Sequence, residues 1–323
     1  MKPTKLCLSI ILFFTLSRPC QALPFNSQIE KIAFGSCNKE DKSQPLWQEI
    51  SKNQPDLFIW SGDVVYADSM DRAIRTKIFN KQLTRDDYQS FIKSTSVSGT
   101  WDDHDYADND SDRTAKNRPM LQETFLDFLQ VDSADPRRSR PGIYTEEIYG
   151  DRQSHIRIVY LDTRYFKSPW EDDSKGTILG DLQWSWLENN LRSSRAVVHI
   201  VVSSIQVIPN QHRFERWGRF DNERRRLLEL LSKVSNPIII SGDRHIAEIS
   251  RIEIGGMTIH EITSSGMTHS YTGFSSEDNR HRVGSVVSKL NYGMLTFDWE
   301  ANQVMAGIYG PNETLYQSLI WTL

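Results

Sequence analysis

The chain has 323 residues, with 38 Lys and Arg against 42 Asp and Glu, a net charge of −4 and a mean hydropathy of −0.51. That length suits one large domain or two modest ones. The charge balance gives no hint of nucleic-acid binding, and no apolar stretch is long enough to span a membrane.

The N-terminus has a character of its own. Lys2 and Lys5 precede an apolar run over 6–16, and Ser17-Arg18-Pro19-Cys20-Gln21-Ala22 puts small residues at the −3 and −1 positions of a cut after Ala22. This is the layout of a secretory signal peptide, so a secreted or periplasmic protein beginning near Leu23 is expected. Loss of 1–22 removes Lys2, Lys5 and Arg18, leaving 35 basic against 42 acidic residues and a net charge of −7. Cys7 and Cys20 leave as well. Cys37 is then the one cysteine, and no intramolecular disulfide can form. Such a thiol is either a small buried hydrophobe or a metal ligand.

In chain order, 31–37 is a short apolar run ending at a Gly-Ser turn, the first core strand. A helix follows over 45–51, with Leu46, Trp47 and Ile50 inward, and Pro55 opens a strand over 57–61. This β-α-β order implies parallel neighbours with both tips on one edge, which brings Cys37 near Asp63. One long helix is predicted over 71–93, then a strand over 97–101, a polar loop over 108–118 and an amphipathic helix over 119–131. A loop over 132–142 carries Arg137, Arg138 and Arg140, and a strand covers 155–161. Asp181 is placed to cap a helix over 182–191. A buried strand over 196–205 leads to a basic, aromatic loop over 209–220 with His212, Arg213, Phe214, Arg216, Trp217 and Arg219. A helix over 222–234, a strand over 238–241 and hairpin-like strands near 246–263 and 292–308 complete the chain. With no linker, repeat or low-complexity tract, 23–323 reads as a single domain.

Two apolar runs end alike, Phe58-Ile59-Trp60-Ser61-Gly62-Asp63 and Ile238-Ile239-Ile240-Ser241-Gly242-Asp243. Glycine lets the backbone turn sharply and approach a bound group, and ligands of open α/β sheets bind at the carboxyl ends of strands. Two such tips suggest one shared metal centre. Asp63 and Tyr66 are spaced to meet on one cation, and phenolate and thiolate favour a ferric ion over Ca²⁺ or Mg²⁺. The other reading of Tyr66 is a buried phenol beside a polar strand cap. Asp102-Asp103-His104-Asp105 follows a strand. These groups repel one another unless a cation or an arginine neutralises them, or else they form a solvated turn. Asp243 and His245 are a compact oxygen–nitrogen pair, or a turn aspartate and a core histidine. Arg164, in Leu161-Asp162-Thr163-Arg164, either clamps a phosphate or pairs with Asp162. There is no Gly-x-Ser-x-Gly elbow to support an acyl hydrolase.

The ordered set Gly35-Ser36-Cys37, Gly62-Asp63-Val64-Val65-Tyr66-Ala67-Asp68, Trp101-Asp102-Asp103-His104-Asp105, Leu161-Asp162-Thr163-Arg164 and Ser241-Gly242-Asp243-Arg244-His245 resembles the alkaline phosphatase D (PhoD)-like metallophosphatases of the calcineurin-like metallophosphoesterase superfamily. The resemblance implies an α/β fold of two packed mixed β-sheets flanked by helices. It also implies a polynuclear site with Fe³⁺ beside Ca²⁺, other divalent metals being possible. Carried over by motif, Cys37, Tyr66 and His245 bind iron, Asp63 bridges, and Asp103 and Asp243 hold the calcium side. His104 assists the leaving group and Arg164 holds the substrate phosphate. Two departures stand out. The core begins a few residues after the signal cut, where many members carry a further β domain. The superfamily also has a ligand histidine where this chain reads Ser203-Ser204-Ile205-Gln206, and His199, inside its strand, reads as a core histidine.

The activity implied is hydrolysis of a phosphomonoester or small phosphodiester by in-line attack of metal-activated hydroxide. The expected partner is a small-molecule or lipid phosphoester, with no stable nucleic-acid partner and no transmembrane anchor. Two other readings use the same fold. One is a phosphodiesterase or nuclease gripping nucleotides through the 209–220 loop. The other is a Ca²⁺-binding recognition protein without turnover.

Overall fold

Strands buried on both faces read as continuous apolar runs, and the runs in this chain form two such sets. The computed structural model describes residues 23–24, 27–170, 176–274 and 277–323, so the expected signal segment 1–22 lies outside the described residues. The first half comprises β1 (Lys31–Gly35), α1 (Leu46–Lys52), β2 (Leu57–Ser61), α2 (Arg72–Leu83), α3 (Asp86–Ile92), β3 (Ser96–Thr100), α4 (Asp103–Tyr106), α5 (Arg118–Phe128), β4 (Thr145–Tyr149) and β5 (Ile156–Tyr160). The second comprises α6 (Gly180–Arg192), β6 (Val198–Val202), α7 (Asp221–Leu231), β7 (Pro237–Ser241), β8 (Ala247–Ile254), β9 (Met257–Ser264), β10 (Arg282–Val287), β11 (Tyr292–Asp298), β12 (Gln303–Tyr309) and β13 (Leu315–Thr322).

One sheet runs β13-β12-β11-β1-β2-β3 and the other β10-β8-β9-β7-β6-β5-β4. Both are mixed. β1, β2 and β3 are parallel, as are β5, β6, β7 and β9, while hairpin partners are antiparallel. Phe34, Ile59, Ile158, Val202, Ile240 and Leu295 fill the space between the sheets. Outside the first sheet, Trp47 of α1 packs its ring 5.0–5.3 Å from those of Phe58, Trp60, Tyr88 and Phe91. Outside the second, Trp184, Leu187 and Leu227 of α6 and α7 cover Val201 and Ile239. The expected two-sheet, helix-flanked α/β architecture is therefore present. Among the described residues no helix is long and apolar enough to cross a membrane.

Several local expectations change. The helix expected over 71–93 breaks in two: Thr84 Oγ1 donates to Asn80 O, closing α2, and Arg85 turns extended before α3. Asp181 does not cap α6. It lies inside the first turn, where a carboxylate still suits the positive end of the helix. β4, β10 and β13 were not expected from sequence, and all three are sheet edges.

The parallel strands direct the ends of β1, β2, β3 and β7 to one edge, and two glycines let these ends close. A Cβ on Gly62, at φ +97°, would stand 2.5 Å from Asp102 Cβ and 3.0 Å from Ser204 Cβ. A Cβ on Gly242 would stand 2.5 Å from both Ser36 Oγ and Ser61 O. The tips of both sheets thus meet where neither can carry a side chain.

Gly62→Ala should therefore cost clearly more stability in denaturant unfolding than Gly255→Ala. Gly255 also has a left-handed φ of +60°, but its added Cβ would meet only Ser232 Oγ at 3.9 Å. Backbone conformation alone accounts for about 1 kcal/mol; equal losses at the two sites would contradict a tight tip contact.

A second prediction concerns His260 of β9, whose ring stacks at 4.0 Å on Trp321 of β13 and so joins the two sheets. Burial, then Arg251, push its pKa down to about 4. An unfolded imidazole titrates near ~6.5, so the unfolded chain takes up the proton first on acidification. The stability held by the neutral ring is full above that pH and is lost as pH falls toward 4. The stability of the wild type relative to His260→Phe should fall by up to about 3 kcal/mol across this window. A pH-independent difference would show that the ring titrates normally.

Candidate metal centre

Four residues at this edge adopt a left-handed backbone without being glycine: Cys37 (φ 58°), Asp63 (φ 47°), Asp243 (φ 69°) and His245 (φ 53°). Each such conformation costs of order 1–3 kcal/mol and persists only where its surroundings over-determine it. Those surroundings are visible. Asn38 N–H donates to Asp63 O at 2.8 Å, and Asn38 Nδ2 donates to Val64 O at 3.0 Å. Asn38 is held in turn by a buried amide group with Gln82 and Gln44. Tyr271 N–H and Ser270 Oγ both donate to His245 O, at 2.9 and 2.8 Å.

The result is a convergence of donors. Cys37 Sγ and Tyr66 Oη each lie 3.5 Å from Asp63 Oδ2, and Tyr66 Oη lies 3.0 Å from His245 Nε2. Ligand atoms of Cys37, Asp63 and His245 fall within 4.8 Å of one another, as do those of Asp63, Asp103 and His104. Asp63 belongs to both groups. Its Oδ1 is buried with no hydrogen-bond partner. Asp243 shares the field of Asp102 and Asp103, yet its oxygens are outside both compact groups.

The charge is only partly offset: Arg164 and His104 act on Asp103, and Arg244 on Asp243. Burial, then Asp103, Asp102, Asp105 and Asp243, raise the pKa of Asp63. Burial and Asp63 raise those of the Cys37 thiol and the Tyr66 phenol. Burial, then His269 and His104, push His245 down to about 3, leaving the neutral imidazole that ligates metals. A sulfur, a phenol oxygen, a neutral nitrogen and carboxylates facing one another with an orphaned oxygen fit a bound cation.

The four-residue run 102–105 divides its work. Asp105 accepts from Val64 N–H at 3.1 Å, Val65 N–H at 3.0 Å and Asp102 N–H at 3.1 Å, so it ties the β2 loop to the β3 loop. Asp102 accepts from Arg164 Nε and Ser204 Oγ, both at 2.6 Å. Asp103 faces the donor cluster. His104 lies at the rim, its Nδ1 2.7 Å from Asp68 Oδ1 and its ring 4.1 Å from that of Tyr66.

Arg164 differs from its expected role as a phosphate clamp. Its side chain is 0% exposed and is committed to Asp102 and to Glu215, the latter at 2.5 Å. A guanidinium enclosed by two carboxylates has no donor facing an incoming ester. Glu215 also pairs with Lys167, so the group formed by Asp103, Asp110 and Glu215 already has two cations against it. His199 is a core histidine, bonded at 2.7 Å to both Ser235 O and Ser194 Oγ. Ser204 serves Asp102.

Sequence reasoning missed Glu215, Asp68 as the partner of His104, and His269. The Nε2 of His269 is 3.1 Å from Tyr66 Oη, and its ring is 4.4 Å from that of His245. The available signal was Ser264-Ser265-Gly266 at the end of β9, another strand stopping at small residues. Reading β9 as a hairpin partner hid the fact that it also runs parallel to β7 and ends at the same edge. Lys39 was missed too; its ammonium lies 4.5 Å over the Tyr66 ring.

Residues 32–301 match the family described as PhoD-like phosphatase. Alkaline phosphatase D of Bacillus subtilis (strain 168) is 22% identical over 277 aligned residues, covering 69% of this chain and 47% of that protein. The chain therefore spans about half the length of this curated relative. Among solved structures, PhoD superposes with a TM-score of 0.75 at 16% identity, covering 92% of this chain and 70% of that one. The purple acid phosphatase PPD1 from yellow lupin (Lupinus luteus) gives 0.65 at 14% identity, covering 92% and 54%. At these identities the structural likeness is one of fold. The family match takes in all the strand tips that build the donor cluster, and the chain belongs to the PhoD-like phosphatase family.

Proposed function

We propose that this protein is a metal-dependent hydrolase of phosphomonoesters or small phosphodiesters, exported through residues 1–22 and acting through one catalytic domain, 23–323. The observation that carries the reading is the convergence of Cys37, Asp63, Tyr66 and His245 in a family of phosphatases. Thiolate and phenolate suit a ferric ion, so Cys37, Tyr66 and His245 would hold Fe³⁺, with Asp63 available to it and to a second ion. Asp63, Asp103 and Asp243 offer only hard oxygens, and the imidazole absent at Ser203-Ser204 leaves that second position suited to Ca²⁺. When bound, the ions neutralise the ester's oxygens and lower the pKa of a water.

The protein groups do the rest. His104 stands at the rim with Nδ1 held by Asp68. Burial opposes its charge, but Asp68 and Asp103 raise its pKa overall. It thus holds a proton for the departing alkoxide. Arg164 acts at one remove: burial opposes ionisation of Asp103, and Arg164 with His104 keeps its pKa low. Arg164 is a positioning residue for the acidic ligands. Lys39, with its ammonium 4.5 Å over the Tyr66 ring, adds a positive charge beside the centre that suits an anionic ester.

The test is metal analysis of protein purified without chelator, with turnover of p-nitrophenyl phosphate and its bis-ester. Iron and calcium should be found, chelation should abolish hydrolysis, and Asp63→Asn should lose at least about 100-fold in activity together with metal. Tyr66→Phe should bleach a visible charge-transfer band. Full activity in stripped, iron-free protein would overturn the assignment. Metal-loaded protein without turnover would instead favour the Ca²⁺-binding recognition reading.

Arg164→Gln separates positioning from clamping. It should lower kcat and calcium occupancy with little change in KM. A rise in KM alone would restore the phosphate clamp.

A further inference from the structure

The loop over 209–220 borders the centre through Glu215, whose carboxylate lies within 4.8 Å of ligand atoms of Asp103 and Asp110. The charge of Glu215 is spent on Arg164 and Lys167. The loop's own cations are therefore not offset by it. Among the described residues no carboxylate forms an ion pair with Arg213 or Arg219. Arg213 is exposed, with its guanidinium 5.2 Å over the Phe214 ring. Arg219 lies 4.6 Å over Trp170 and donates to Arg213 O at 3.0 Å. Arg244, beside the β7 tip, lies 4.5 Å over Phe214.

His212 of the same loop has its ring 6.2 Å from that of Phe214 and feels the charge of Arg244, Arg216 and Arg219. It is 4% exposed, and neither ring nitrogen has a hydrogen-bond partner. Burial, then Arg244, Arg216 and Arg219, push its pKa down to about 2, so it is neutral with one N–H to give. The Nε of Arg219 is likewise buried and unpartnered. Buried polar atoms are nearly always satisfied, so the unpartnered N–H of His212 and Nε of Arg219 mark the place of a missing partner, with Asn210 Oδ1 of the same loop also unpartnered. Arg244 is itself paired with Glu277 at 2.8 Å, so the cations left to meet a partner are Arg213 and Arg219, and a partner that accepts from them and from the His212 N–H is an anion. The aromatic rings do not offer a base-stacking platform, because guanidiniums already cover Phe214 and Trp170. The loop reads charge rather than a nucleobase.

We propose that the loop over 209–220 is a second anion site, which takes an additional phosphate of the substrate while the scissile phosphate occupies the metal centre. The preferred substrates are then bisphosphates. The assignment of the scissile phosphate rests on the hydrolase reading above; the anion site itself does not.

Hexane-1,6-diyl bisphosphonate and hexylphosphonate, which cannot be hydrolysed, test it by calorimetry on the metal-loaded protein. The bisphosphonate should bind about tenfold more tightly, one charge-assisted contact's worth. The double variant Arg213→Gln/Arg219→Gln should reduce that advantage to under about twofold, and Arg213→Gln alone, at an exposed side chain, to about threefold. The ratio of kcat/KM for hexane-1,6-diyl bisphosphate over hexyl phosphate should follow the same order. No advantage for the second phosphonate, or one that survives in the double variant, would overturn the proposal. A binding advantage without turnover of either ester would uphold the anion site and refute the hydrolase reading.

Discussion

Five aspartates buried at one sheet edge set the terms for everything around them. Asp63, Asp102, Asp103, Asp105 and Asp243 are within reach of one another's charge, and burial disfavours every one as an anion. The fold answers each differently. Asp105 is given three backbone N–H groups, and Asp102 a guanidinium and a hydroxyl. Asp103 is relieved by the N–H groups of Asp110 and His104 at 2.7 and 3.0 Å. Asp63 keeps an oxygen with nothing attached. Repulsion left standing at Asp63 and Asp243 is what suits this edge to a cation rather than to a structural acid cluster.

Holding that arrangement requires rigid tips. Arg75 is completely buried and gives its guanidinium to Ala67 O at 3.0 Å, Ser69 O at 3.3 Å, Asp105 O and the Thr124 hydroxyl, fixing the loops after β2 and β3 together. Across the edge, Glu261 accepts from Val207 N–H at 2.9 Å and also from Ile208 N–H, while Arg224 donates to the carbonyls of both residues. The start of the loop after β6, over 203–208, is thereby locked although it offers no imidazole. Strain at Cys37, Asp63, Asp243 and His245 is sustained because the strands behind them pack into the core between the sheets.

Much of this was legible in the sequence, for a physical reason. A strand buried on both faces must be apolar throughout, and a tip that approaches another tip must carry glycine, so both marks are local. β4, β10 and β13 carry neither mark; as edges with half-exposed, charged or small residues they lack a clear period. The partners of Arg164 were hidden because its neighbours in sequence suggest Asp162. Asp102 and Glu215 reach it only through the folding of distant loops. His269 was hidden by topology: β9 is at once the antiparallel partner of β8 and the parallel neighbour of β7, and only the second pairing brings its end to the site.

The arginines sort by access, and that sorting bears on specificity. Arg75, Arg164 and Arg224 are buried and spend their donors on carbonyls and carboxylates, so they fix geometry and cannot follow a substrate. Arg213 is exposed and Arg219 half-buried, each over an aromatic ring that orders it without neutralising it. A guanidinium stacked on a ring keeps its in-plane N–H groups available, whereas one forked onto a carboxylate does not. Charge that organises the metal ligands and charge that can select among anionic esters are therefore carried by different residues. The two meet at Glu215, which holds Arg164 on one side and anchors the exposed loop on the other.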